Sequence, residues 1–243
     1  FIVAVGTVIA YPYEEAVDYW HGEHWMEAPR LARPVWFNLF REEKLPHSVF
    51  FDSTQDTQNG VMDNQELGGS ENMQEVQLSF DFEFIGDVFP QDLIFSFFTK
   101  FEEKAPFSVV TLITPDGREL ELKKGRVIDR MQFALSDEDY DRIHKQKEFS
   151  AIQKVFGDPN LNLSRPLEGI YQLQINSYLF EEGSTVDVKG VLHGQVYGLF
   201  GTDTHRRNLT VAMLWGTPVV LTFALMGALV TAISTLLAAI SAW

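Results

Sequence analysis

The sequence contains no cysteine among its 243 residues, so stability has to come from packing and the redox compartment stays open. Basic residues are also scarce. Nineteen lysines and arginines stand against 34 acidic residues, which gives a formal net charge of −15. Because binding to nucleic-acid phosphates needs a basic surface, this balance argues against a nucleic-acid partner.

Charge is absent altogether from Leu209 to the last residue, Trp243. As a helix, residues 211–243 would be ~50 Å long, against roughly 30 Å of hydrocarbon in a bilayer. A soluble helix of this length without a polar face would be unusual. We therefore predict a transmembrane helix over residues 211–243, with Pro218 near the point where it enters the bilayer.

A second apolar run, Phe1 to Tyr11, is too short to span a bilayer, which takes roughly 20 residues. It fits the end of a first transmembrane helix, a signal-peptide core or a buried strand, and we favour the first of these for residues 1–11. Residues 12–46 are rich in tryptophan and proline. Because tryptophan favours the membrane interface, this segment reads as the exit from the bilayer.

Residues 12–200 predict an extracytoplasmic, mainly β domain, an antiparallel sandwich or a jelly-roll-like fold. Apolar and polar residues alternate or apolar residues cluster in short runs, and Asp116-Gly117 supplies a hairpin turn. The predicted strands lie at residues 76–84, 93–98, 109–113, 120–122, 170–180 and 185–192. Gln55 to Asn72 is predicted to be a mobile loop, and Ser136 to Phe156 a short helical insertion.

Motifs for catalysis, nucleotides and metals are missing from the sequence. It has no Gly-x-Ser-x-Gly, no Gly-x-Gly-x-x-Gly and no Walker motif. His21 and His24 lack the zincin spacing, and Asp52, Asp56 and Asp63 lack the EF-hand spacing. We therefore predict no catalytic residue, no metal site, no cofactor and no enzymatic activity.

A polar segment directly precedes the long apolar helix: Gly201-Thr202-Asp203-Thr204-His205-Arg206-Arg207-Asn208, followed by Gly216-Thr217. It resembles the segment before the second transmembrane helix in permease subunits of dipeptide, oligopeptide and nickel ABC importers. Four positions match that pattern, which is close to G-T-D-x-x-G-R-D: Gly201, Thr202, Asp203 and Arg207. Arg206 stands where the family has glycine, and Asn208 where it has aspartate.

The resemblance implies a cell-membrane, multi-pass permease component of an importer for peptides or similar small solutes. This chain would be a fragment of it, with residues 12–200 as a large extracytoplasmic insertion. The implied partners are a second permease subunit, two ATPase subunits, an extracytoplasmic solute-binding protein and the lipid bilayer. Residues 201–210 would then form a structural cap or gate, in which Thr202 or Asp203 caps the helix and Arg207 pairs with Asp203 or a nearby carbonyl.

An alternative from another functional class remains open. The chain could be a membrane-anchored extracytoplasmic β-domain that acts as a sensor or as an adhesion or interaction module, without a role in transport. The resemblance covers only residues 194–243 and, loosely, the first eleven. The body of the domain lies outside it.

Overall fold

The computed structural model describes residues 2–10, 12–21, 28–54, 62–67, 73–136 and 149–242. The chain divides into two compact units. The helical unit comprises Phe1–Pro34 and Gly198–Trp243, and the sandwich unit comprises Val35–Tyr197.

The described residues form four α-helices, two short 3₁₀ turns and nine strands. The helices are α1 (Ile2–Ala10), α2 (Tyr13–His21), α3 (Ala151–Phe156) and α4 (Leu209–Ser241), and the 3₁₀ turns are Val35–Phe40 and Pro159–Leu161. The strands are β1 (Val49–Asp52), β2 (Met62–Leu67), β3 (Gln74–Phe84), β4 (Asp92–Lys100), β5 (Phe107–Ile113), β6 (Glu119–Arg126), β7 (Met131–Ala134), β8 (Gly169–Leu179) and β9 (Thr185–His193).

The sandwich unit consists of two antiparallel sheets. One has the strand order β1-β9-β4-β7, and the other has the order β2-β3-β8-β5-β6. The pairs β1·β9, β3·β8, β4·β7 and β5·β6 nest inside one another along the chain, and successive strands from β3 to β5 and from β6 to β9 alternate between the sheets. This is the order of a jelly roll, in which one long antiparallel hairpin is wound into two layers. The predicted antiparallel sandwich is therefore confirmed.

Phenylalanine rings fill the space between the two sheets. Phe51 on β1 packs against Phe80 and Phe82 on β3, with ring centroids 5.9 and 5.2 Å apart. On β4, Phe95 stacks against Phe133 of β7 at 4.8 Å. Every second residue is buried from Leu78 onward on β3 and from Tyr171 onward on β8, which is the period expected when one face of a strand lines a core. The alternation in the sequence thus identified the inner face of both strands.

Helix α3 is about one and a half turns long, and its apolar side chains pack onto this core. Ser150 and Gln153 form a capping box at its start, and each side chain accepts a hydrogen bond from the backbone of the other. Phe156 is fully buried beside Tyr171, with ring centroids 5.1 Å apart. Arg118 donates to the carbonyl that follows the helix at 3.0 Å. The predicted helical insertion is therefore present at its C-terminal end, while residues 137–148 lie outside the described part.

Helix α4 is the single helix in the described part of the chain that is long and apolar enough to cross a membrane. It begins at Leu209, close to the predicted start. Helix α1 has nine residues and would cover ~14 Å, about half of the hydrocarbon thickness. The helical conformation of α1 excludes a strand there. A multi-pass topology finds no support in the described residues, which is the first correction to the sequence-based expectations.

Four of the helices and strands are not among the predicted elements. Helix α2 lies where we expected an irregular, aromatic-rich segment leaving the bilayer. Its Trp and Tyr residues indicated a membrane interface and not a helix. Strand β2 lies inside the predicted mobile loop and pairs with β3, and the rest of that loop, residues 55–61 and 68–72, is outside the described part. Strands β1 and β7 have four residues each, too few for alternation to be recognised.

Removing a core ring should destabilise the sandwich far more than removing an exposed apolar side chain. We expect Phe80→Ala to lower the free energy of unfolding by about 3–5 kcal/mol, because a buried ring is lost and a cavity remains. The control Ile85→Ala, at a mostly exposed position, should change it by less than about 0.5 kcal/mol. Urea unfolding of the full chain in detergent, followed by far-ultraviolet circular dichroism, measures both. Equal effects would contradict the position of the core.

An exposed carboxylate ties two strand connections together. The Glu181 carboxylate accepts hydrogen bonds from three successive backbone N–H groups, those of Glu102 at 2.8 Å, Glu103 at 2.9 Å and Lys104 at 2.5 Å. These hydrogen bonds, led by that from Glu102, hold the pKa of Glu181 below its ordinary value of 4.5. The connection after β4 is thereby joined to the connection after β8.

The contribution of Glu181 to stability should depend on pH. A carboxyl group whose pKa is lower in the folded state stabilises that state above its unfolded pKa, and the effect disappears as pH falls through the folded pKa. We expect Glu181→Gln to be less stable than the parent near neutral pH and equal to it in strong acid. Urea midpoints measured across this range test the expectation, with Glu182→Gln as the neighbouring control. A difference between parent and Glu181→Gln that is independent of pH would contradict it.

Candidate functional site

Thr202 fastens two distant segments of the helical unit together. Its buried hydroxyl accepts a hydrogen bond from the Ala32 amide at 2.8 Å and donates one to the Pro29 carbonyl at 2.6 Å. Its own amide donates to the Ala32 carbonyl at 3.1 Å. We call residues 29–32 and 201–208 the clasp, because these bonds hold the first segment against the chain that leads into α4.

Gly201 is required by the same contact. Its φ is +75°, and a Cβ atom at this position would lie 2.2 Å from the Ala32 carbonyl oxygen. Only glycine tolerates both the conformation and the close approach. The Gly201 carbonyl accepts a hydrogen bond from the amide of Leu209, the first residue of α4. The clasp therefore leads directly into α4.

Asp203 closes a tight loop between Thr202 and the helix. Its carboxylate accepts from the backbone amides of His205 and Arg207, each at 2.8 Å. Arg206, within the loop, has a φ of +64°, a conformation that favours glycine. The permease pattern has glycine at that position, so the local likeness is one of backbone shape.

The structure corrects the capping role that the sequence suggested in the clasp. The N-cap of α4 is Asn208, whose side chain accepts from the Thr210 amide at 2.9 Å, and neither Thr202 nor Asp203 caps the helix. Arg207 meets Asp203 through its backbone amide. Its guanidinium lies over the ring of Trp20 on α2, 4.9 Å from the centroid. Trp20 lies far from Arg207 in the sequence, so no sequence motif predicts this cation–π contact.

An apolar cavity of about 330 Å³ lies in the helical unit between α2 and α4. Trp20 and Tyr13 contribute to it from α2, and Trp215 does so from α4. The Tyr13 and Trp215 rings meet edge to face at 5.6 Å. Rings with one polar atom suit the boundary between water and lipid. The position of the tryptophan-rich segment at that boundary stays a prediction.

The outer face of the five-stranded sheet forms a different kind of surface. Its described residues on the three central strands carry amide, hydroxyl, carboxylate and ring groups side by side. We call it the amide face; it consists of Gln77, Ser79 and Asp81 on β3, Gln172, Gln174, Asn176 and Tyr178 on β8, and Phe107, Val109 and Thr111 on β5.

Hydrogen bonds organise the amide face along β8. Gln174 donates from Nε2 to Gln172 at 2.7 Å, and Gln172 donates from Nε2 to Asp81 at 2.8 Å. At the other end, the rings of Tyr178 and Phe107 are 6.5 Å apart. Burial and a hydrogen bond to Glu75 raise the pKa of Tyr178, so its hydroxyl stays neutral at physiological pH. The amide face therefore combines polar groups held in place by hydrogen bonds with a pair of apolar rings.

The sequence predicts the strands of this face but not the face itself. Alternation in β8 shows that Gln172 and Gln174 point away from the core. It does not show that they lie beside Asp81 and Thr111, because strand order and register are set by tertiary pairing.

Of the residues considered and rejected as metal ligands, the structure describes the side chain of Asp52 alone. Asp52 pairs with Lys189 at 2.9 Å and accepts from Thr54. His24 and Asp56 lie outside the described part of the chain, as do the side chains of His21 and Asp63. Across the described residues, no group of three or more His, Cys, Asp or Glu side chains could hold a metal ion.

Comparison with known proteins gives little guidance. No family model matches the sequence, and no curated protein matches it significantly. A structure of TmCBM61 in complex with beta-1,4-galactotriose has 8% identity and a TM-score of 0.24, over 68% of this chain and 94% of the other. A structure of carbohydrate-binding modules from the beta-sandwich superfamily has 12% identity and a TM-score of 0.26, over 69% of this chain and 62% of the other. At such TM-scores neither likeness supports a conclusion about this chain.

The predicted function as an importer permease is wrong. The larger unit is a nine-stranded sandwich, and one helix of the described residues can span a bilayer, whereas a translocation path needs several. No family model supports the resemblance. The four matching positions form a turn and a close backbone contact before a helix, and neither feature is specific to transport. The implied subunit partners stay untested, as does the expectation that the chain is not an enzyme.

Removing the Thr202 hydroxyl should open the clasp. In Thr202→Val the Ala32 amide and the Pro29 carbonyl lose their partner, at a cost of about 1–3 kcal/mol. We therefore expect amide exchange in residues 30–33 to become roughly 5- to 150-fold faster, as measured by hydrogen–deuterium exchange of the full chain in detergent.

Two matched controls accompany this experiment. Thr202→Ser keeps the hydroxyl and should retain most of the protection. Thr204→Val removes an exposed hydroxyl of the same loop and should have no effect on residues 30–33. Unchanged exchange in Thr202→Val would show that the hydroxyl does not hold the clasp.

Proposed function

We propose that the chain is a membrane-anchored binding module. Helix α4 holds it in a bilayer, and the sandwich presents the amide face to a ligand outside the cytoplasm, as a sensor or an adhesion module would. The observation that carries this proposal is the covalent connection of a large sandwich to one helix of 33 residues without a charged side chain.

The chemistry of the amide face favours a neutral, polyhydroxylated ligand. Side-chain amides both donate and accept hydrogen bonds, so Gln172 and Gln174 can pair with hydroxyl groups in either sense. The Tyr178 and Phe107 rings offer a flat apolar surface of the kind that packs against C–H groups. A sugar has both features, hydroxyls around its edge and C–H groups on its faces.

The charges around the amide face exclude anionic ligands. Asp81 lies within it, and Glu75, Glu83, Glu119 and Glu121 lie along its borders. Lys124 and Arg126 on β6 are the basic residues beside it among the described strands. A phosphate or sulfate group would meet an unfavourable potential here, whereas a neutral saccharide would not.

Binding of neutral oligosaccharides should depend on the middle of this face. We expect the full chain in detergent to bind members of an oligosaccharide array. Gln174→Ala should weaken that binding about 2- to 12-fold, because one hydrogen bond of about 0.5–1.5 kcal/mol is lost. Calorimetry with the best array ligand measures the change.

A matched control lies on the opposite sheet. Gln132 is an exposed glutamine on the outer face of β7, so Gln132→Ala removes the same chemical group elsewhere. It should leave affinity unchanged. Equal loss in both variants, or an array without any bound saccharide, would refute the proposed ligand class.

A further inference from the structure

The 3₁₀ turn Val35–Phe40 exposes apolar side chains to an unusual degree. Five of its six residues are apolar, and none of the six is buried. Leu39 is 79% exposed and Phe40 is 81% exposed. Contiguous apolar groups on the surface of a protein mark contacts with another surface. We call residues 35–40 the apolar turn.

Hydrogen bonds hold the apolar turn in one shape. The Asn38 amide group donates to the Leu45 carbonyl at 2.9 Å and accepts from the Leu45 amide at 3.0 Å. The Lys44 ammonium donates to the carbonyls of Asn38 at 2.8 Å and Arg41 at 3.1 Å. Since Lys44 is also fixed through its backbone to Asp87 at 2.7 Å, the apolar side chains stand on a supported turn.

The chain itself limits how far the apolar turn can be from the membrane helix. Ala32 is hydrogen bonded to Thr202, and the neighbouring Gly201 is bonded to the first residue of α4. Leu39 is seven residues after Ala32, and even a fully extended chain of that length spans at most about 25 Å. Helix α4 is ~50 Å long, roughly 20 Å more than the hydrocarbon of a bilayer. Leu39 and Phe40 are therefore within reach of the lipid headgroup region.

We propose that the apolar turn inserts into the interfacial layer of the same bilayer that α4 crosses, with Leu39 and Phe40 buried among lipid. The charges next to the turn balance, with Arg41 and Lys44 against Glu42 and Glu43, so the contact needs no anionic lipid. Trp36 packs edge to face with Phe40, at 6.3 Å between ring centroids, and an indole suits this layer. The proposal concerns lipid contact alone and does not depend on the ligand of the amide face.

The absence of cysteine allows a direct test with single spin labels. Phe40→Cys and Leu39→Cys each give one site in the full chain, which is reconstituted into phosphatidylcholine vesicles. Ile128→Cys is the matched control, an exposed apolar position elsewhere in the sandwich unit, and Leu229→Cys reports from the middle of α4. Electron paramagnetic resonance measures collision with oxygen, which partitions into lipid, and with a water-soluble nickel chelate.

The expected result is frequent collision with oxygen and rare collision with the nickel chelate at positions 39, 40 and 229, and the reverse at position 128. Nickel accessibility at 39 and 40 equal to that at 128 would overturn the proposal. Shielding of 39 and 40 from both reagents would also overturn it, because that result indicates contact with protein, such as a second copy. If position 229 fails to report lipid, the membrane anchorage of the proposed function fails as well, which separates the two conclusions.

Discussion

The eleven-residue pairing of β3 with β8 is the constraint on which the rest of the sandwich depends. Its register places Phe80 opposite Leu173 on the inner face and Ser79 opposite Gln174 on the outer face. Because side chains alternate between faces, a shift by one residue would carry the phenylalanines into water and the amides into the core. The large cost of that exchange fixes the register, so the same pairing that builds the core also composes the amide face.

The helical unit depends on a smaller set of interactions, the hydrogen bonds and the close backbone contact of the clasp. Thr202 satisfies two backbone groups that would otherwise be buried without partners, and Gly201 allows the segments to approach. The clasp brings residues near position 30 to the base of α4 without a disulfide bond, in a chain that has no cysteine. Local hydrogen bonds thus take the part that disulfide bonds take in other proteins.

The clasp also explains how a permease motif could occur in a chain that is not shown to be a permease. Glycine before threonine and aspartate gives a close contact, a buried hydroxyl and a turn, and each is useful wherever a polar chain enters a membrane helix. The positive φ of Arg206 shows that the backbone adopts the shape which the glycine of the pattern would favour. Agreement at this level concerns backbone geometry and carries no information about transport.

The sequence by itself determined the class of each long element. Alternation over β3 and β8, the hairpin of β5 and β6, and the uncharged length of α4 follow from periodicity and solvation, which act locally. The tertiary structure alone decided which strands are neighbours, that the short strands β1, β2 and β7 join the sheets, and that Trp20 lies beneath Arg207. It also decided that Gln174, Thr111 and Ser79 share one row. These relations join residues far apart in the chain, where burial of a common core selects one pairing among many that local preference allows equally.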